Sequence, residues 1–105
     1  MKSGQRQALL HSLLRALVDK EKIETTEAKA KEMRSLADKL VTKAKKGNIA
    51  SARQLRKTLG DSLTKKLIEK IAPAFKDRAG GYTRVIKLGA RNTDSAKMAI
   101  IELVK

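Results

Sequence analysis

Apolar residues recur at helical spacing through the first two-thirds of the chain and at strand spacing near its end, which predicts helices followed by a hairpin. In "GQRQALLHSLLRALV", Leu9, Leu10, Leu13, Leu14, Leu17 and Val18 share one helical face, with Arg6 and Arg15 opposite. "DKEK" from Asp19 to Lys22 breaks the pattern, and "KIETT" reads as a short strand. Thr26 can cap the next helix, with Glu27 favourable in its first turn. From Glu27 to Lys46 the stripe Ala30, Met33, Ala37, Leu40, Val41 and Ala44 predicts the longest helix, about 30 Å long. Lys43, Lys45 and Lys46 suit its negative end, and Gly47 suits a left-handed cap.

Asn48 is placed to cap a third helix carrying Ile49, Ala52, Leu55 and Leu59 at core spacing, with Gly60 as its stop. Asp61 or Ser62 then caps a fourth, "LTKKLIEKIA", whose Leu63, Leu67, Ile68 and Ile71 face inward until Pro73 ends it. "YTRVIKL" and "MAIIELV" are β-type runs joined by the polar "GARNTDSAK", the pattern of an antiparallel hairpin with a long loop. Ala99, Ile101 and Leu103 alternate with Glu102; on the other strand Ile86 and Leu88 are expected on the core side with the Tyr82 ring, although Val85 blurs that phase. The expected class is α+β, with about four helices on one face of a small sheet made of the hairpin plus a candidate third strand from "IETT".

Composition changes the picture from fold to partner. The chain has 105 residues, the length of a single domain spanning 1–105, and no repeat or linker divides it. Aromatic residues make up 2%, so the core must come from Leu, Ile, Val and Ala. The absence of cysteine removes disulfides, thiolate metal sites and a thiol nucleophile, and fits a reducing cytoplasm. No apolar run approaches a membrane span or an export signal. Twenty-five Lys and Arg against eleven Asp and Glu leave a net charge of +14, which points to nucleic acid as the partner ahead of acidic proteins or membrane surfaces.

Catalytic chemistry finds little support. His11 is the only histidine and sits in a leucine-rich helix; Glu21 and Glu24 read as surface charge. There is no phosphate loop, dinucleotide fingerprint or nucleophile elbow, and the sequence implies neither a cofactor nor a small-molecule substrate.

The cations are unevenly placed. Residues 36–60 hold seven Lys or Arg and one acid, Asp38. Lys43, Lys45, Lys46, Arg53, Arg56 and Lys57 there surround a helix-to-helix corner suited to bridging phosphates, although lysines on helices are also ordinary solvated surface. With only Phe75 and Tyr82 as rings, a base-stacking platform is not available, and recognition by phosphate, ribose and shape suits structured RNA. In "RAGGYTR", Gly80 and Gly81 permit positive φ and close backbone approach while Arg78 and Arg84 offer forked donors; the plainer reading is a tight glycine turn entering a strand.

"IETTEAKAKEMR" and "DRAGGYTRVIKLGARNTDSAKMAIIELV", with "AKKG" and "IAPAFKDR" between them, resemble the bacterial large-subunit ribosomal protein family numbered seventeen, from about Gly4 to Val104. The resemblance implies an α+β scaffold without catalysis, packed on large-subunit ribosomal RNA beside neighbouring large-subunit proteins. By position it marks Arg6, Thr25, Thr26, Lys29, Lys31, Arg34, Gly80, Gly81, Tyr82, Thr83, Arg84 and Arg91 as RNA-facing. Two departures stand out: the longer basic arm usual in the family is reduced here to "MKS", and Ala28 stands where relatives often have proline. An architectural DNA-binding protein and a binder of acidic proteins are the alternatives that charge alone leaves open.

Overall fold

A computed structural model describes residues 2–104, with side chains from residue 8 onward. Helix α1 (Lys2–Lys20) leads through Glu21, at φ 67°, into strand β1 (Lys22–Thr26). Helix α2 (Glu27–Lys46) opens on the Thr26 hydroxyl, which accepts the Lys29 amide at 3.3 Å, and closes on Gly47 at φ 65°. The Asn48 side chain accepts the Ser51 amide at 2.8 Å and starts α3 (Ile49–Lys66). Each of these boundaries uses a local side-chain acceptor or a left-handed glycine, so each follows from a few consecutive residues.

The expected count of about four helices is corrected to three α-helices among the described residues. Gly60, at φ 80° and ψ 173°, leaves helical geometry for one residue, and the chain re-enters the helix at once. It is a kink within α3 and not a terminus. Leu55 and Leu59 before it and Leu67 and Ile71 after it are buried in the same apolar cluster, so packing keeps the two arms as one element. Beyond Lys66 the helix widens to a π turn (Leu67–Ile71) and tightens to a 3-10 turn (Ala72–Phe75). Pro73 lies in that last turn, where its missing N–H is tolerated.

Strands β2 (Thr83–Ala90) and β3 (Lys97–Leu103) form the hairpin, and β1 pairs with the other side of β3. The sheet is antiparallel with order β1-β3-β2. The early "IETT" segment does supply the third strand. Ile23 and Val85 both stand opposite Ile101, and Thr25 and Lys87 stand opposite Ala99. Ala99 and Ile101 are fully buried in the cluster formed with α1, α2 and α3, so one face of the sheet carries the helices. The phase expected for β2 was inverted: Thr83 is buried and Val85 packs on the core, whereas Ile86 and Leu88 are 40% and 47% exposed. A bulge between Lys87 and Gly89, with Gly89 at φ 89°, shifts the register toward the tip. Phe75 and Tyr82 are both buried, their rings 5.1 Å apart at 61° in an edge-to-face contact.

Candidate nucleic-acid interface

The segment between the 3-10 turn and β2 carries Arg78, Gly80, Gly81 and Tyr82, and tertiary contacts hold it at both ends. At its start the Arg78 amide donates to the Phe75 carbonyl at 3.0 Å. At its end the Tyr82 amide donates to Oδ1 of Asp38 at 3.2 Å, and Val104 donates its amide to the Tyr82 carbonyl at 3.0 Å. The Lys45 ammonium closes the arrangement from α2. It donates to the Arg78 carbonyl at 2.5 Å and to the Tyr82 hydroxyl at 3.2 Å, lies 5.3 Å from the Tyr82 ring centre, and the same hydroxyl donates to the Arg78 carbonyl at 3.0 Å. A cation shared between two oxygens and a ring face stiffens the loop more than a solvent-exposed lysine could.

This latch leaves the Arg78 side chain outside. Its guanidinium donates to the Gly81 carbonyl at 3.3 Å and remains exposed. Arg34 on α2, Arg78 on the loop and Arg84 on β2 converge on an open concavity of about 370 Å³, completed by Gly81, Thr83, Val85 and Val104. No acid is among those lining residues. Glu102 takes one Arg84 nitrogen at 3.2 Å, while among the described residues Arg34 holds no ion pair or side-chain hydrogen bond. Gly81 needs glycine for its φ of 62°. Gly80 has no positive φ, and a Cβ on either glycine would meet nothing within 4 Å, so the backbone here is open from outside. Forked donors around an accessible backbone suit a phosphate oxygen.

The other sequence-marked residues divide by placement. Lys31 and Arg34 lie on one exposed face of α2, and Lys29 is half-buried. Thr25 and Thr83 are buried on the helix side of the sheet, Thr26 is a helix cap, and Tyr82 is 2% exposed, so these four position the site from beneath. At the α2–α3 corner Lys43 is half-buried, Lys45 is committed to the latch, and Lys46 is exposed. Arg53, Arg56 and Lys57 share an exposed face of α3, with Arg56 3.7 Å from Asp61. The side chain of Arg6 lies outside the described residues.

Arg91 is engaged within the β2–β3 loop. Its Nε and Nη2 donate to the two carboxylate oxygens of Asp94 at 3.0 and 2.8 Å, and the Ala96 amide donates to the same carboxylate at 3.1 Å. The Arg91 hydrogen bonds, then the Ala96 amide, hold the Asp94 carboxyl down to about 2, and Asp94 in turn raises the Arg91 pKa. With Ser95 at φ 60° and its amide on the Arg91 carbonyl at 2.9 Å, the loop is internally cross-braced.

Asp38 was missed as a site residue. Its signal was present, as the one acid in the cation-rich stretch 36–60, but charge alone does not say which amide a carboxylate will meet.

The profile of the family described as ribosomal protein L17 matches residues 9–104. The chain belongs to the ribosomal protein L17 family. Similar relatives include the large ribosomal subunit protein bL17 of Natranaerobius thermophilus, 55% identical over 96% of this chain and 90% of the relative. That of Symbiobacterium thermophilum is 50% identical over 97% and 91%, and that of Desulforudis audaxviator 47% identical over 99% and 94%. The resemblance carried by "GGYTR" and "MAIIELV" therefore holds across nearly the whole chain, and family membership places it with ribosomal proteins.

Proposed function

We propose that the chain is a non-catalytic constituent of the large ribosomal subunit that binds folded ribosomal RNA through phosphate and shape contacts, beside neighbouring large-subunit proteins in the bacterial cytoplasm. The observation that carries this reading is the convergence of Arg34, Arg78 and Arg84, from three separate elements, on an acid-free concavity beside an open glycine backbone. Family membership supplies the class of nucleic acid, and the scarcity of rings favours backbone and shape over base stacking. Exposed cations on α2 and α3 add sequence-independent attraction around that centre.

The whole chain binds as one RNA-associated unit whose affinity depends steeply on salt. With some 6 to 10 phosphates engaged, affinity falls by roughly 10³ to 10⁵ between 50 and 200 mM salt. Co-sedimentation of the tagged chain with large ribosomal subunits tests the reading, with Arg34→Ala/Arg78→Ala alongside. Retention of the parent chain on washed large subunits and depletion of the double variant are expected. A parent chain that stays at the top of the gradient would contradict the assignment.

A further inference from the structure

The sheet face turned away from the helices carries a second surface of different chemistry. Cross-strand register puts Ile86, Ile100 and Glu24 in one row on that face, and Arg84, Glu102 and Lys22 in the next. These rows hold two cations, Lys22 and Arg84, and two acids, Glu24 and Glu102, for a net charge of zero on a chain of net charge +14. The Arg84 guanidinium is already 3.2 Å from Glu102, and beyond the patch Arg91 is taken by Asp94. At the centre are Ile86, 40% exposed, half-buried Ile100, and Leu88, the residue left unpaired by the bulge and 47% exposed. Strand β2 is also an edge of the sheet, so one side of its backbone has no strand partner among the described residues.

We infer that this neutral apolar face and the β2 edge from Ile86 to the hairpin tip form a docking surface for a neighbouring large-subunit protein, occupied by an uncharged extended segment with apolar side chains over Ile86 and Leu88. The inference rests on the ribosomal reading above; Arg84, which also lines the phosphate concavity, marks the border between the two surfaces. Phosphate is disfavoured here because the outward cations are balanced by carboxylates and the centre offers no donor side chain. A second copy of the chain is disfavoured because two bodies of net charge +14 repel. An extended segment can use the free edge groups and bury the isoleucine and leucine side chains at the same time.

The test uses the full chain assembled into large subunits, with Leu88→benzoylphenylalanine as a photo-crosslinking variant. An adduct to one identified large-subunit protein is expected. Adducts to RNA alone, to a second copy of the chain, or to nothing overturn the inference. In parallel, Ile86→Gln/Leu88→Gln keeps the net charge unchanged and alters two exposed side chains. It should bind deproteinised large-subunit RNA within about twofold of the parent, yet lose about tenfold in incorporation into complete subunits, the scale set by two partly buried aliphatic side chains. Undiminished incorporation overturns the inference. Failure of the parent chain itself to bind the deproteinised RNA would strike the ribosomal RNA reading instead, so the two claims fail separately.

Discussion

The loop at residues 78–84 and the α2–α3 corner are both rich in cations, but they are built differently. The loop hangs on buried groups: Tyr82 is inside the core, its amide is held by Asp38, and Lys45 binds two oxygens of the segment. At the corner, Lys46, Arg53, Arg56 and Lys57 extend from helix surfaces into solvent. Binding at the loop therefore meets a backbone, and Arg78 and Arg84 side chains, that already have partners, whereas Lys46, Arg53 and Lys57 at the corner give up rotamer freedom to meet a phosphate. Charge density alone would rank the corner first. Geometry ranks the loop first, because Arg34, Arg78 and Arg84 converge from three elements on one concavity beside a held backbone.

The largest expected effect comes from removing the ring on which the loop is seated. Tyr82→Ala deletes a fully buried aromatic in contact with Phe75 and should cost about 3–5 kcal/mol, read by urea unfolding. A variant within 1 kcal/mol of the parent, itself about the scale of a minor surface change, would mean that the loop is not anchored by the core. Next comes the acceptor on α2. Asp38→Ala leaves the Tyr82 amide without its side-chain partner, at a cost of about 1–3 kcal/mol, while Asp38→Asn retains an acceptor oxygen and should lose less. RNA affinity should follow the same order, and equal behaviour of the two variants would dismiss the latch as an aid to binding.

Removing charge from each region separately distinguishes a pre-formed site from mere charge density. Per cation removed, Arg34→Ala/Arg78→Ala should weaken RNA binding more than Arg53→Ala/Arg56→Ala/Lys57→Ala at equal ionic strength, with the corner set costing about tenfold or less in total. Fluorescence titration of labelled RNA measures both, and a reversed order would favour charge density over pre-organisation.

The smallest effect belongs to the hairpin tip. Because the Asp94 carboxyl is held at about 2, below its ordinary value, its pairing with Arg91 contributes stability at pH above the ordinary carboxylate range of about 4. That contribution shrinks as pH falls below about 4 and is lost as pH passes down through about 2. The difference in unfolding midpoint between the parent and Asp94→Asn should therefore be constant at neutral pH and narrow in acid. A difference independent of pH down to 2 would show that the clip does not stabilise the loop.

What could be read in advance was local. Thr26, Asn48 and Gly47 mark helix ends because capping needs only a side-chain oxygen or a glycine within a few residues. The stripe on α2 was legible for the same reason: Ala30, Met33, Ala37, Leu40, Val41 and Ala44 are all buried. Gly60 was not, since the same positive φ can end a helix or kink it, and the burial of Leu55 and Leu67 on either side decides between them. In β2 the apolar residues Ile86 and Leu88 lie outside and a threonine lies inside, so pattern alone favours the wrong phase. Around the candidate site, "RAGGYTR" stood out by composition. The partners that hold it did not, because Asp38 and Lys45 are 44 and 37 positions away from Tyr82 and nothing local ties them to it.

The most direct measurement is the salt dependence of binding to deproteinised large-subunit RNA for the parent and for Arg34→Ala/Arg78→Ala. If both guanidinium groups rest on phosphates, the slope of log affinity against log salt should become shallower by about 1.8, at roughly 0.9 per duplex phosphate released. An unchanged slope would contradict the claim that this concavity grips the RNA backbone.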